Sequence, residues 1–180
     1  LMPIWIAGVI VFAGVLLIGL ARLRWLASQS EIDVDGDGAL VALVREIAHA
    51  RGVRRPIALL RNDRTRLLVT WGHFRPRVML PAAAADWPEE RLRVVISHEL
   101  AHVRRGDWGT QLAAEFLRAL FWFNPLVWIA CRRLRAESEL ACDDEVLNDG
   151  IEGADYAGHL LDLARMLNTP RHGYLSASAP

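Results

Sequence analysis

The segment His98-Glu99-Leu100-Ala101-His102 brings the residue types of a metal-dependent hydrolase together within little more than one helical turn. Two histidines four positions apart lie on one face of a helix, so both imidazole rings can reach the same metal ion. Glu99 is then placed to act as a base on water rather than to bind the metal. The pattern predicts a zinc site with His98 and His102 as ligands. The alternative is that both histidines are ordinary polar residues on a partly exposed helix.

The helix that must carry this segment is well defined in the sequence. Asp86-Trp87-Pro88-Glu89 resembles a helix start, with Asp86 as the capping residue. Residues 89–105 contain no Gly or Pro, and Gly106 is expected to end the helix. Apolar residues recur at helical spacing at Leu92, Val95, Ile96, Leu100 and Val103.

A third ligand can be located from helix lengths. Asp107 is expected to cap a helix over 108–123, and Asn124-Pro125 then starts a second helix that runs to Asn148. At 1.5 Å per residue, the first helix climbs about 24 Å and the second returns about 22 Å by Glu139. Glu139 therefore arrives beside the two histidines, as a catalytic zinc site with one open position requires. The alternative is a solvated acidic helix face.

Asp143 lies four residues after Glu139 and so shares its helix face. A carboxylate in that position is suited to hold a ligand histidine through its second ring nitrogen. For the oxyanion of the transition state a further donor is needed, and nothing in the sequence selects among Tyr156, His159, His172 and Tyr174.

Before the motif helix, the sequence predicts a helix over 39–51 and a small sheet with strands near 57–60, 67–71 and 77–80. An edge strand of such a sheet could pair with an extended substrate, or the sheet could serve packing alone. The preceding loop holds Asp33, Asp35, Asp37 and Gly38, as a calcium-binding loop would. Its twelfth position is Val44 instead of Glu, so a capped loop is the better interpretation.

Residues 1–21 are uncharged and strongly apolar, which predicts a transmembrane helix rather than a cleaved signal peptide. Trp5 and Trp25 lie near its two ends, and Arg22 and Arg24 follow the apolar run. By the positive-inside rule, residue 26 onward is cytoplasmic.

The apolar segment 112–130 is a second membrane candidate. Charged residues and Asn124-Pro125 interrupt it, so a core hairpin, or one partly immersed in the bilayer surface, is expected.

The composition of the chain bears on nucleic-acid binding and on the redox environment. The 180 residues carry 21 basic and 21 acidic side chains, so no overall basic field indicates nucleic-acid binding. Cys131 and Cys142 are too far apart on one helix to form a disulfide, which fits a reducing compartment. The sequence does not begin with Met and ends in a linker-like SASAP, so we expect a segment of a longer protein.

Four segments together resemble the BlaR/MecR-type membrane zinc metallopeptidases: VTWGHFRPRVMLP, HELAHVRRGDW, FWFNPLVW and RLRAESELACDDEVL. The resemblance covers about residues 39–167. It implies a zincin-like domain of the gluzincin type on the cytoplasmic side of a membrane anchor. In it, His98, His102 and Glu139 hold one zinc ion and Glu99 is the general base. Asp143 contacts a ligand side chain without binding the zinc ion itself. CAAX-protease/HtpX-type peptidases share HExxH and a later ExxxD, but WGxFRP and FxNPxVW favour the first family.

Some members of that family carry an extracellular sensor and cleave a transcriptional repressor when a β-lactam is sensed. This sequence has no SxxK motif with KTG, so the stimulus cannot be carried over. The resemblance implies a protein or peptide substrate, with such a repressor as the example.

The predicted fold is α+β and mostly helical, with a small sheet before the HExxH helix. The predicted organisation is a transmembrane helix (1–25), a linker (26–38), a zinc metallopeptidase domain (39–168) and a linker (169–180) to a further C-terminal region. The predicted function is a zinc metalloendopeptidase of the bacterial plasma membrane that cleaves a regulatory protein in signal transduction. The alternatives are a non-enzymatic signalling scaffold with a structural metal site, and a protease that cleaves only itself.

Overall fold

A four-stranded sheet and six helices make up the computed structural model, which describes residues 2–32, 38–62 and 68–168. The helices are α1 (Met2–Ser28), α2 (Gly38–Ala50), α3 (Glu89–Arg105), α4 (Asp107–Leu120), α5 (Pro125–Asn148) and α6 (Gly153–Asn168). The strands are β1 (Glu31–Ile32), β2 (Ala58–Asn62), β3 (Val69–Trp71) and β4 (Arg77–Pro81), and a 3-10 turn covers Ala82–Asp86. The predicted α+β, mostly helical class is confirmed. Asp33, Asp35 and Asp37 of the calcium-like loop lie outside the described residues.

The sheet has the strand order β1-β2-β4-β3, with β2 and β4 parallel and the other pairs antiparallel. In the register of β3 with β4, Thr70 lies opposite Val78. Strand β4 is buried on both faces, because Val78 and Leu80 enter one core while Met79 enters another. Strand β3 is an edge strand on the side of the motif helix, with which it is in contact.

Helices α2 and α3 cover one face of the sheet and form the main core with it. Ile96 and Leu100 of α3 are fully buried there, beside Leu43 and Ile47 of α2. The five apolar positions that predicted the motif helix all lie in or against this core. Both ends of α3 agree with the sequence, and Gly106 closes it in the left-handed conformation with a φ of 74°. Asp86 is not its cap, however: Pro88 holds that position, without a side-chain cap bond.

Helices α4 and α5 form an antiparallel hairpin. Asn124 caps α5 by accepting a hydrogen bond from the Leu126 amide, and Pro125 occupies the first helical position, as the sequence predicts. Helix α4 ends at Leu120, three residues earlier than expected, since the three residues after it form a turn before Asn124. Helix α6, which is not among the elements predicted from the sequence, packs Tyr156 against Val94 and Val146.

Helix α1 is long and apolar enough to cross a membrane. Its C-terminal end carries Leu26, which is buried with Leu60, Trp71 and Met79 on the second face of the sheet. The α/β part of the chain is therefore attached at the end of α1 that bears Arg22 and Arg24. The predicted domain boundaries stay a prediction.

Candidate metal centre

Two helices bring the predicted ligand side chains together. His98 and His102 project from α3 with their ring centres 5.0 Å apart, and Glu139 arrives from α5. The Oε2 atom of Glu139 lies 3.5 Å from His98 Nε2 and 3.7 Å from His102 Nε2. Glu139 stays half-exposed, whereas its neighbours Ser138 and Cys142 are buried between the helices. The centre is thus held rigidly by α5 and open to solvent on one side.

The spacing of these atoms fits a zinc ion. Zinc binds imidazole nitrogen and carboxylate oxygen at about 2.0–2.2 Å in a tetrahedral arrangement, which places neighbouring ligand atoms about 3.3–3.5 Å apart. The two nitrogen–oxygen distances are within a few tenths of an ångström of that range. Two imidazoles and one carboxylate are also a ligand set that catalytic zinc sites use, with a fourth position left for water or substrate.

The second nitrogen of His98 is held by a pair of side chains. Its Nδ1 lies 3.1 Å from Asp143 Oδ1 and 3.1 Å from the Tyr156 hydroxyl. That hydroxyl donates a 2.5 Å hydrogen bond to the same Asp143 oxygen. A carboxylate at Nδ1 favours the proton on that nitrogen and leaves the Nε2 lone pair free for a metal. Asp143 therefore lies where the sequence predicts it.

The second nitrogen of His102 is held by Asp107, for which the sequence predicted a helix cap. Asp107 Oδ2 lies 2.8 Å from His102 Nδ1 and accepts hydrogen bonds from Ser138 Oγ at 2.7 Å and Arg105 Nε at 3.2 Å. Helix α4 has no side-chain cap bond. The left-handed Gly106 directs Asp107 back toward the last turn of α3, where His102 lies. In the sequence, the glycine directly before Asp107 was the signal that could have revealed this contact.

A second group of metal-ligand types shares His102. Cys142 Sγ lies 3.2 Å from His102 Nδ1 and 3.6 Å from Asp107 Oδ2. These atoms are on the Nδ1 side of the ring, away from Glu139. Because Asp107 already accepts bonds from Ser138 and Arg105, we interpret this group as support for the His102 ring.

The charges of the centre reinforce one another. The adjacent imidazole rings of His102 and then His98 hold the pKa of Glu139 far below its ordinary value. Burial alone would lower the pKa of His102, but hydrogen bonds with Cys142, Glu139 and Asp107 raise it to about 11. Burial raises the pKa of Tyr156, and its bond to Asp143 raises it further. Glu139 is therefore ionised at neutral pH, as a carboxylate that binds a metal must be.

A cavity of about 290 Å³ opens over this centre. Glu99 lines it beside both histidines and is itself buried, 8% exposed. The opposite wall is the edge strand β3 and the turn that follows it, including Val69, Thr70 and His73. Among the described residues, Thr70 Oγ1 and His73 Nδ1 are buried without a hydrogen-bond partner. The cavity thus joins the motif helix to a sheet edge.

The structure also separates the candidates for the oxyanion donor. Tyr156 faces the outer nitrogen of His98, so its hydroxyl is engaged behind the ligand. Neither Tyr156 nor His159 is among the described residues that line the cavity. His172 and Tyr174 lie outside the described residues.

Comparison with known proteins identifies the same family that the four sequence segments resemble. The family model described as BlaR1 peptidase M56 matches residues 1–179. The chain is 26% identical over 144 residues to regulatory protein BlaR1 of Bacillus licheniformis, covering 80% of this chain and 24% of the relative. It is 24% identical over 170 residues to regulatory protein BlaR1 of Staphylococcus aureus, covering 93% and 28%. A methicillin resistance mecR1 protein of Staphylococcus aureus is 26% identical over 80 residues, covering 44% and 14%. The chain spans about a quarter of the length of the BlaR1 relatives.

Proposed function

The chain belongs to the BlaR1 peptidase M56 family, and from this premise we propose that it is the zinc metalloendopeptidase part of a membrane-anchored regulatory protein. The observation that carries the proposal is the convergence of His98, His102 and Glu139 at zinc-ligand spacing, with Glu99 in the same cavity. A structural metal site has no use for a buried carboxylate beside its ligands, so Glu99 favours an enzyme over a scaffold.

In the proposed mechanism, His98, His102 and Glu139 hold the zinc ion. Zinc, when bound, supplies a Lewis acid that polarises the scissile carbonyl and acidifies water. Glu99 takes a proton from the attacking water and delivers it to the leaving amine. Asp143 and Asp107 fix the two imidazole rings so that each Nε2 atom faces the metal position.

We propose that the substrate binds as an extended peptide along β3. One side of β3 is paired with β4, and its residues line the cavity beside Glu99. The backbone groups of an edge strand can pair with an added strand, which would place a substrate carbonyl across the motif helix. The names of the relatives favour a protein substrate in a regulatory pathway.

We propose that the active site faces the cytoplasm. Arg22 and Arg24 end the apolar part of α1, and basic residues next to a membrane span prefer the cytoplasmic side. The peptidase fold is packed against that same end through Leu26.

The experiment that tests the function is metal analysis and cleavage with the detergent-purified chain. We expect one zinc per chain and cleavage of unfolded casein or of a tagged Glu99→Gln copy, lost with 1,10-phenanthroline and regained with zinc. Bound zinc without cleavage of either protein would favour the scaffold, and cleavage of the copy alone would favour self-cleavage. Absence of zinc would contradict the proposed centre.

Asp107→Ala should weaken zinc binding by about 10–100-fold, because partners of a ligand histidine typically contribute that much to metal affinity. The measurement is competition for zinc with a chromophoric chelator, after circular dichroism has shown that the variant is folded. Ser138→Ala is the matched control: it removes a bond to Asp107 without touching His102, so its effect should be smaller. Equal zinc affinity in Asp107→Ala and wild type would show that Asp107 does not position His102.

A further inference from the structure

The end of the α4–α5 hairpin exposes an unusual amount of apolar surface. We call residues 116–129 the hairpin tip. Six of its large apolar side chains are between 41% and 69% exposed: Phe116, Leu117, Phe121, Phe123, Leu126 and Ile129. Six large apolar side chains exposed within fourteen residues are uncommon on a soluble monomer and indicate that something apolar covers them.

The hairpin tip lies against the N-terminal half of α1. Trp5 Nε1 donates a 3.1 Å hydrogen bond to the Leu120 carbonyl, and Trp122 Nε1 donates one of 3.4 Å to the Trp5 carbonyl. Trp122 also stacks on Phe12, with ring centres 6.2 Å apart. Gly8 makes this approach possible, since a Cβ atom there would lie 2.1 Å from the Trp122 ring.

This contact fixes how far the hairpin extends along α1. Between Trp5 and Arg22 a helix rises about 26 Å at 1.5 Å per residue. The hydrocarbon core of a bilayer is about 30 Å thick. If α1 crosses the membrane with Arg22 at one surface, a hairpin tip beside Trp5 lies most of the way to the other surface.

Polar groups of the hairpin tip have partners within the protein, as a bilayer interior demands. At the turn, the Trp122 carbonyl accepts a 2.9 Å bond from Trp128 Nε1, and the Asn124 amide donates a 2.9 Å bond to the Phe121 carbonyl. The Asn124 side chain accepts the Leu126 amide. The backbone is thus bonded where the helices are interrupted.

Arg118, the charged residue of the hairpin tip, is also paired within the protein. Glu115 forms ion pairs with Arg118 and Arg135, and the Arg118 guanidinium lies 4.8 Å from the centre of the Trp128 ring. Glu115 and Arg118 keep only 20% and 30% of their side-chain surface exposed. Ionisable groups at membrane depth are tolerated in this arrangement, turned inward and paired.

We propose that the hairpin tip is inserted in the lipid bilayer beside α1 as a re-entrant element. Lipid is the occupant that fits, because the hairpin tip packs against α1, whose exposed residues include Ile4, Ile6 and Ile10. Neither arm crosses the bilayer, but the pair enters and leaves from the same side. Helix α4 begins at Asp107, which contacts His102. Insertion of the hairpin tip therefore holds Asp107 close to the membrane surface. The inference rests on α1 as the anchor and is independent of the zinc chemistry.

The test is spin-label accessibility in vesicles of phosphatidylethanolamine and phosphatidylglycerol. Labels are placed at Phe116→Cys and Phe123→Cys in a Cys131→Ala background, in which the remaining Cys142 is fully buried. Ile10→Cys on α1 serves as the lipid reference and Phe74→Cys, 85% exposed on the β3–β4 turn, as the water reference. We expect both hairpin labels to collide with oxygen and lose collisions with a water-soluble nickel complex, as the Ile10 label does.

Nickel collisions as frequent as at Phe74 would place the hairpin tip in water and overturn the proposal. Weak collisions with both reagents would overturn it as well, in favour of coverage by a second copy of the chain. A second comparison does not depend on labelling. Phe116→Lys should reduce the yield of folded protein in the membrane far more than Phe74→Lys, and equal yields would contradict insertion.

Discussion

Replacing Glu99 by Gln should reduce peptide hydrolysis about 10³-fold and leave one zinc ion bound per chain. A general acid–base residue contributes roughly 10²–10⁴-fold to the rate, and Gln cannot accept the proton of the attacking water. Glu99 lines the cavity but is not among the three residues whose ligand atoms converge. The substitution keeps the size of the side chain, so the buried position should still pack. The measurement is cleavage rate and zinc content on the same purified sample.

Glu90→Gln is the matched control for this variant. Glu90 lies on the same helix but is exposed in its first turn, away from the cavity, and its loss should change neither quantity. Full proteolysis by Glu99→Gln with zinc retained would rule out Glu99 as the base. Loss of zinc together with activity would mean that Glu99 supports the metal, and the proposed division of roles would be wrong.

Elements with local boundary signals could be predicted from the sequence closely. Helix α3 has the predicted ends because Gly106 adopts the left-handed conformation that ends a helix, and α5 begins where Asn124 and Pro125 place it. The position of Glu139 followed from the same regularity. Two rigid antiparallel helices joined by a short turn leave little freedom in where the second one returns.

Capping by Asp86 and Asp107 was predicted from residue type, and both predictions were wrong. An aspartate near a helix start can cap, but it can also reach a partner that is not visible in the local sequence. Asp107 contacts His102, Ser138 and Arg105, and the serine comes from a distant helix. Only tertiary packing decides between these uses of a carboxylate.

The contact that helix α6 makes with the metal centre could not be predicted from the sequence either. Tyr156 was a candidate for the oxyanion because of its chemistry, yet it reaches Asp143 and the outer nitrogen of His98. Its direction depends on how α6 packs against Val94 and Val146, which no periodicity along α6 itself encodes. The hairpin shows the same limit: the sequence predicts a core hairpin or one partly immersed in the bilayer surface, but the contact with Trp5 and Gly8 is a property of the assembled fold.

Removing the carboxylate of Glu139 should have the largest effect on the metal. Glu139→Ala takes away one of three ligands, and we expect zinc affinity to fall by more than the roughly 10–100-fold that is typical for losing an outer partner. Zinc content should drop from about one per chain to near zero after dialysis. Because the Glu139 side chain is half-exposed, its loss leaves the packing of α5 against α3 intact. Metal analysis and thermal unfolding of the same sample separate ligand loss from misfolding.

Glu137→Ala is the control, since Glu137 is exposed on the same helix but lies on another face, and its zinc content should match that of wild type. Unchanged zinc in Glu139→Ala would break the proposed link between α3 and α5. The second ligand group would then be the place to look, because His102, Asp107 and Cys142 also converge. Cys142→Ser decides between the two: it should keep zinc if Glu139 is the ligand and lose it if the metal lies on the Nδ1 side of His102.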